Sequence, residues 1–293
     1  MGEGRLGRLF GKFCEANAYV SVIIVALIFL FLFSEGLQIF QFETPLRFFL
    51  GSDWQPTSED PRYEIFPLIV GSLLVTAGAM AIAIPLGLGC AIYLSEIASP
   101  SFAEVLKPAI EVLAGVPSVV LGFFALVVLS PGIANAFGLP SGLNALNGAI
   151  ILAVMVIPTI ETISEDALRV IPRSYRDASS ALGATDWETI RHVIVPAALP
   201  GISVAVLLGF GRVIGETMVV LMATGNAAMI PASFLDPVRT MTATIASEMG
   251  EVPMGSPHYF SLFMIACVLF TISLAVNIIA NTIIKRDSAH AVS

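Results

Sequence analysis

The chain has 293 residues, of which 56% are hydrophobic and 12% are charged, with a formal net charge of −8. A soluble domain carries about twice this fraction of charged residues, so the composition excludes an ordinary soluble protein and predicts an integral membrane protein. The net charge says little about partners, because in a membrane protein the distribution of charge matters more than its sum.

Six apolar stretches are long enough to cross a bilayer, which takes about 20 helical residues. Lipid cannot satisfy exposed backbone polar groups, and none of the stretches alternates apolar with polar residues as a barrel strand does. We therefore predict an all-α membrane protein with six transmembrane helices. The predicted spans cover residues 18–40, 66–94, 110–129, 143–163, 200–223 and 259–284.

The basic residues predict the orientation of the chain. With the N-terminus inside, ten of the 14 lie in cytoplasmic segments and three outside, which leaves Arg212 within a span. Cytoplasmic segments of membrane proteins are enriched in Lys and Arg, so both termini are predicted to be cytoplasmic. The ten are Arg5, Arg8, Lys12, Lys107, Arg169, Arg173, Arg176, Arg191, Lys285 and Arg286, and the three are Arg47, Arg62 and Arg239.

The sequence predicts a single transmembrane domain over residues 18–284, followed by a cytoplasmic C-terminal tail over residues 285–293. In residues 1–17, the spacing of apolar and basic residues favours a helix that lies in the cytoplasmic membrane interface. The glycines of the same segment equally favour a frayed tail. The first span lacks a cleavage site, which favours a retained anchor over a signal peptide. The external segment 41–65 is rich in proline and is predicted to be irregular. The three cysteines predict neither a disulfide framework nor a metal site.

Glycine and proline predict interruptions in four of the spans. Irregular backbone at membrane depth must line a cavity or be buried in protein, so a cluster of such breaks favours a pathway. The predicted breaks are IPLGLG at 84–89, Gly115 with Pro117, Pro158, and Gly209 with Gly211 and Gly215.

The predicted loop 164–199 contains two helix-start patterns. Ser174 with Asp177, and Thr185 with Glu188, both have the spacing of a capping box. Gly183 lies between them, where a helix end favours a residue that tolerates positive φ. Two short capped helices favour either docking into a groove on another protein or packing against the helix ends above.

This loop also resembles the EAA loop of ABC importer permeases. DASSALG at 177–183 is followed by nine residues and then VIVP at 193–196, with Asp177, Ser179, Val193 and Val195 departing from the family pattern. The resemblance implies a type I, MetI-like permease whose loop inserts into a separate ATPase subunit. The coupling residues that it implies are Asp177, Ala178, Ser179, Leu182 and Gly183.

No nucleotide site is predicted in this chain. The stretch from Gly7 to Lys12 is the nearest approach to a phosphate-binding Walker A loop, and it lacks the required spacing and hydroxyl. We therefore expect no cofactor here, with ATP and Mg²⁺ bound by the partner ATPase subunits.

The stretch GRVIGETM at 211–218 places a charge in the fifth span. A guanidinium at mid-membrane costs about 2.5–3.5 kcal/mol, so Arg212 requires compensation. Glu216 lies four residues later, on the same face of a continuous helix, and predicts a neutralising ion pair. Alternatively, Arg212 binds an oxyanion with its planar fork, Thr217 adds a donor, and Glu216 exchanges with the substrate.

GRVIGETM resembles the corresponding segment of the PstC family, the permease subunits of phosphate importers, as do VPSVVLGFF at 116–124 and SEDALRVIP at 164–172. This resemblance implies a PstA-like sister permease, two PstB-like ATPases, a PstS-like binding protein outside, and a second cation from the sister subunit. The alternatives are a permease for molybdate or sulfate, the PstA-type sister itself, and a gradient-driven carrier. A membrane-embedded enzyme is disfavoured, because the three histidines are scattered along the chain.

Overall fold

The computed structural model describes the backbone of residues 5–290 and the side chains of residues 10–278 and of residue 282. It is a helical protein, and within the described residues six helical stretches are long and apolar enough to cross a membrane, which confirms the predicted fold class. These stretches are Phe10–Gln41, Phe66–Ile97, Ser118–Phe137, Ala145–Arg169, Asp186–Ile214 and Pro257–Ile278, and we number them as spans 1 to 6.

The first half of the chain folds into two long helices, a small cap and a broken third span. Helix α1 covers Arg5–Gly36 and continues as a 3₁₀ turn over Leu37–Gln41, without a break near residue 17. The cap comprises α2 (Pro45–Leu50) and a two-stranded antiparallel ribbon, β1 (Trp54–Gln55) with β2 (Arg62–Tyr63). Then follow α3 (Phe66–Ile92) with a π-helical end at Tyr93–Ile97, α4 (Pro100–Ala114), α5 (Ser118–Phe124) with a π-helical end at Ala125–Leu129, and α6 (Ser130–Phe137).

The second half contains the central helix and the loop with the two helix-start patterns. Helix α7 covers Ala145–Arg169, and two short helices follow, α8 (Arg173–Ala181) and α9 (Asp186–Thr189). A π-helical turn at Ile190–Ile194 leads into α10 (Val195–Ile214), which is followed by α11 (Met218–Ala223), α12 (Met241–Glu248) and α13 (Pro257–His290). The predicted loop 164–199 is therefore shorter than expected, because α7 extends to Arg169 and the helix of span 5 begins at Asp186.

Helix α7 forms the centre of the bundle and packs against α3 on one side and α10 on the other. Ile160 of α7 is fully buried between two glycines, Gly87 of α3 and Gly209 of α10. A Cβ atom at position 87 would lie 3.0 Å from Ile160 Cγ2, and one at position 209 would lie 2.9 Å from Ile160 Cγ1. These two glycines therefore permit close helix packing, as small residues do in membrane bundles.

Two of the four predicted interruptions are wrong, and a third is wrong in part. Helix α3 continues through Pro85, α7 through Pro158 and α10 through Pro200 and both Gly209 and Gly211. Membrane helices accommodate such residues when neighbouring helices compensate for the lost hydrogen bond. Two interruptions remain, at residues 115–117 and 215–217, so span 3 begins at Ser118 rather than at residue 110, and span 5 ends at Ile214 rather than at residue 223.

Candidate functional site

Arg212 lies in the last turn of α10, and its side chain is exposed on the surface of the chain. Its Nη1 donates a hydrogen bond to Thr159 Oγ1 of α7 at 3.2 Å. Arg212 takes part in none of the ion pairs formed by the described side chains. The guanidinium therefore has one neutral contact from the described side chains and most of its donors remain available.

The predicted ion pair between Arg212 and Glu216 is wrong in this structure. Helix α10 ends at Ile214, so Glu216 does not follow Arg212 on one continuous helix face. Glu216 Oε1 instead accepts hydrogen bonds from the backbone N–H groups of Met218, at 3.0 Å, and Val219, at 3.3 Å. The carboxylate thus satisfies the first free amides of α11, which is the usual role of an acidic side chain at a helix start.

Hydroxyl groups hold the inner side of the break at 215–217. Thr242 of α12 donates to the carbonyl oxygen of Glu216 at 2.8 Å, and Thr217 donates to the carbonyl oxygen of Gly215 at 3.3 Å. A cavity of about 10 Å³ lies beside Glu216 and Thr242, with Ser72 and Thr76 of α3 also in its wall. The carbonyl oxygens of Gly215 and Glu216, which the break frees from the helix, therefore have hydroxyl partners.

The break is supported from the other side by α5. A Cβ atom at Gly122 would lie 3.2 Å from the carbonyl oxygen of Met218 and 3.3 Å from the Cα atom of Val219. The glycine in the stretch VPSVVLGFF therefore allows α5 to lie directly against α11. Val119, Val120 and Phe123 of α5 remain exposed beside this contact.

The exposed face that contains Arg212 is not suited to lipid. An unpaired guanidinium and a helix break at membrane depth are tolerated only where protein or a water-filled cavity surrounds them. Leu208, one turn before Arg212 on α10, is also exposed. This face of the chain is therefore a candidate wall of a polar path.

At the end of the bundle where α7 terminates, α8 and α9 form a hairpin over residues 173–189. The predicted capping box of Thr185 and Glu188 is confirmed, with Thr185 Oγ1 accepting from the Glu188 amide at 3.3 Å and Glu188 Oε2 accepting from the Thr185 amide at 2.9 Å. Gly183 has φ of +85°, as its place between the helices predicts. The two short helices are therefore well defined.

The other predicted capping box is wrong. Helix α8 begins at Arg173, directly after Pro172, and no side chain caps it. Ser174 is consequently already inside the first turn rather than before it. Proline at this position fixes the backbone for the turn, so a serine cap is not needed to start the helix.

The predicted coupling residues divide into an exposed group and one buried residue. Asp177, Ala178, Leu182 and Gly183 are exposed, Leu182 at 90%. Ser179 is buried and shares a hydrogen bond of 2.8 Å with Thr189, so it joins α8 to α9 rather than facing outward. A shallow groove of about 420 Å³ is lined by Ser174, Tyr175, Ala178, Ser179, Leu182 and Val193. The side chains that line this groove are thus accessible to a partner protein.

Ion pairs fasten this hairpin to the bundle. Arg176 Nε donates to Glu96 Oε2 at 2.9 Å, and its Nη2 donates to Glu96 Oε1 at 2.6 Å. The hydrogen bonds that Arg176 donates to Glu96 raise the pKa of Arg176, against the opposing effect of burial. Nearby, the buried Glu165 contacts Lys107 Nζ at 2.7 Å and Arg169 Nη2 at 2.6 Å.

Sequence reasoning missed Thr159, Glu96 and Arg176. Glu96 and Arg176 are 80 residues apart and Thr159 and Arg212 are 53 apart, so no local periodicity connects them. Tyr175 was also missed, although it precedes Ala178 and Leu182 at the i, i+3, i+7 spacing of one helix face, which was a readable signal. The contacts themselves required the fold.

Comparison with known proteins identifies the class. Residues 83–287 match the protein family described as the binding-protein-dependent transport system inner membrane component. The chain belongs to this family. These proteins are permeases of ABC transporters, and together with the six apolar helices this makes the chain a multi-pass inner membrane protein.

Among its relatives is the probable ABC transporter permease protein YqgH of Bacillus subtilis, 42% identical over 269 residues, or 91% of this chain and 86% of YqgH. The phosphate transport system permease protein PstC of Mesorhizobium japonicum is 34% identical over 261 residues, covering 83% of this chain and 79% of the relative. PstC 1 of Mycobacterium tuberculosis is 33% identical over 282 residues, covering 84% of this chain and 83% of the relative.

Solved structures agree on the fold. A bacterial ABC transporter for import of the acidic polysaccharide alginate gives a TM-score of 0.62 at 15% identity, covering 95% of this chain and 99% of the other. The inward-facing MetNI methionine ABC transporter gives 0.60 at 18% identity, covering 76% and 97%. At these identities the likeness establishes the architecture alone.

Proposed function

We propose that this chain is the PstC-type membrane subunit of an ATP-driven importer of inorganic phosphate. The observation that carries the proposal is Arg212, a permanently charged group in the last turn of span 5 that forms no ion pair with the described side chains and donates a hydrogen bond to a threonine hydroxyl. Relatives named as phosphate transport permeases, at 34% and 33% identity over most of the chain, support phosphate as the anion.

The guanidinium suits phosphate because its planar fork donates parallel hydrogen bonds to two oxygens and does not deprotonate. The Thr159 hydroxyl lies beside it and can add a further donor. Thr217, in the break five residues after Arg212, has a hydroxyl that donates to the Gly215 carbonyl in this conformation and can turn to an anion in another. One arginine does not balance a doubly charged phosphate, so a second cation comes from a PstA-like sister permease that covers the exposed face. The two subunits then enclose the path between them.

Glu216 has a different role from the predicted neutralising partner. In this conformation its carboxylate is held by the amides of Met218 and Val219, which leaves Arg212 open to an anion. Exchange between Glu216 and phosphate for Arg212 therefore belongs to another conformation of the cycle. Alternating access supplies such a conformation.

The hairpin couples ATP hydrolysis to transport. Its exposed residues Asp177, Ala178, Leu182 and Gly183 insert into one of two PstB-like ATPase subunits, which bind ATP and Mg²⁺ and perform the hydrolysis. The hairpin and both termini then lie in the cytoplasm, in agreement with the distribution of basic residues. At the opposite end, segment 41–65 faces a PstS-like phosphate-binding protein.

The test is phosphate uptake by the assembled complex carrying Arg212→Gln. We expect uptake to be abolished while the sister and ATPase subunits still co-purify, because the side chain is exposed and supports no packing in this chain. Arg62→Gln is the matched control for loss of a positive charge, since Arg62 forms partly exposed ion pairs with Asp53 and Asp60, which contribute little. Normal uptake by Arg212→Gln would refute the assignment.

The competing function is a permease for another oxyanion, since sulfate and molybdate are also tetrahedral. ATPase activity of the reconstituted complex separates the two. Stimulation by phosphate-loaded binding protein, and not by sulfate or molybdate with their own binding proteins, is the expected result.

A further inference from the structure

The contact between the hairpin and span 2 is unlike the other surface ion pairs of the chain. Arg176 makes two hydrogen bonds to the Glu96 carboxylate and a third, from Nη1 at 2.9 Å, to the carbonyl oxygen of Ile171. Three segments therefore meet at one guanidinium: α8, the end of span 2 and the turn after α7. A bidentate pair fixes both distance and orientation, which a single contact does not.

The pair is also largely shielded from water. The Arg176 side chain is 27% exposed and that of Glu96 is 7% exposed, compared with 41% and 45% for the pair of Arg62 and Asp53. Shielded pairs hold their partners firmly, because removing either one leaves the other charge without compensation. Exposed pairs contribute little.

The pair lies between two parts of the molecule with different tasks. On α8, the neighbouring Asp177 and Ala178 are exposed toward the proposed ATPase. Glu96 lies in the π-helical end of span 2, and α3, the main helix of that span, packs against both α7 and α10, which hold Thr159 and Arg212. π-Helical turns are frequent at functional positions in helices.

The geometry points to the pair of Arg176 and Glu96 as the link through which movement of the hairpin is transmitted to span 2. Both are positioning residues: neither touches phosphate or nucleotide. A displacement of α8 pulls the end of α3 with it, and α3 in turn shifts against α7 and α10 where the path lies. This inference rests on the proposed function, since it requires an ATPase that moves the hairpin.

Coupling is measured in the reconstituted complex as phosphate transported per ATP hydrolysed. The variants are Glu96→Gln, Arg176→Gln and the double variant, with Arg173→Gln as control, because Arg173 lies on the same helix and forms no ion pair with the described side chains. Each single variant is expected to keep basal ATPase activity and to lose about tenfold in transport per ATP. The double variant is expected to lose no more than either single one, because both remove the same interaction.

Unchanged stoichiometry in the single variants, or losses that multiply in the double variant, would overturn the link. If Glu96→Gln does not assemble, Arg176→Lys keeps the charge with at most one carboxylate contact, and an intermediate loss is expected. A wild-type complex whose ATPase does not respond to phosphate-loaded binding protein would instead refute the proposed function. The two failures are thus distinguishable.

Discussion

Two arginines of this chain, Arg212 and Arg176, stand in opposite surroundings. Arg176 lies at the end of the bundle, outside the apolar core of the spans, and is matched by a carboxylate in a bidentate pair. Arg212 lies in the last turn of the helix of span 5 and has one hydrogen bond from the described side chains, to a threonine hydroxyl. The arginine for which burial in lipid is most costly is the one left without a counter-ion.

Under the proposed function, this difference separates an arginine that connects two segments from an arginine that binds the substrate. A paired guanidinium has its donors occupied and fixes the relative position of two segments. An arginine without a counter-ion in a membrane span is unfavourable for the isolated chain, and the proposed function accounts for it by an anionic ligand that uses its donors. The following three predictions test this contrast, from the largest expected effect to the smallest.

Ile160→Ala tests whether apolar packing, rather than polar contacts, holds α10, the helix that contains Arg212, against α7. Ile160 is fully buried between Gly87 and Gly209, so the cavity left by truncation cannot be filled without moving a helix. We expect a loss of about 2–5 kcal/mol in the free energy of unfolding of the purified protein. Thermal unfolding in detergent gives the measurement, with the exposed Ile23→Ala as control. Equal stability of the two variants would contradict the packing.

Thr159→Val tests whether the hydroxyl contact orients Arg212. Valine keeps the shape of threonine and removes the acceptor, at a cost of about 0.5–1.5 kcal/mol, which corresponds to roughly two- to tenfold. The concentration of phosphate-loaded binding protein that gives half-maximal uptake should rise by this factor. Thr159→Ser restores the hydroxyl and should restore uptake. If the serine and valine variants behave alike, the hydroxyl has no such role.

The cap of α2, β1 and β2 contains a second arginine that, like Arg176, is paired with a carboxylate. Glu64 accepts from the Asp53 amide at 2.8 Å and from Arg47 Nε at 3.0 Å. Burial raises the pKa of Glu64, but these hydrogen bonds outweigh it and hold the pKa below the ordinary 4.5. A depressed pKa means that the stabilisation is fully present above pH 4.5 and is lost as the pH falls through the lower value of the folded protein.

Fluorescence of Trp54 reports this loss, because Trp54 is buried in the same cap and Trp187 is the only other tryptophan. In a Trp187→Phe background, we expect constant emission from pH 7 to about 5 and a small shift below pH 4.5. Glu64→Gln should remove the pH dependence. A shift that persists in that variant would assign the effect to another group.

Much of the fold was predictable from the sequence, because apolar length and the chemistry of helix ends are local properties. The six spans, the capping box of Thr185 and Glu188, and the positive φ of Gly183 follow from such rules. The errors arose where helix continuity depends on neighbours. Proline at 158 did not break α7, whereas the helix of span 5 did end before Glu216.

The candidate site was predictable only in part. Arg212 was identified from its charge and the exposed coupling residues from the resemblance to the EAA loop, and the roles of both remain proposals. The partners of Arg212 and Arg176 come from distant segments, so the sequence offered no spacing by which to find Thr159 or Glu96. The supposed partner Glu216 was misassigned because its carboxylate is used by two backbone amides instead.

The central claim is that the face containing Arg212 lines a path through which phosphate passes. Thr217→Cys places a thiol in the break beside it, in a chain whose Cys14, Cys90 and Cys267 are replaced by alanine. In the assembled complex, a charged, membrane-impermeant thiol reagent is predicted to modify this cysteine, and turnover with phosphate-loaded binding protein is predicted to slow the modification. Modification by lipid-soluble reagents alone, or a rate that phosphate does not change, would contradict the account.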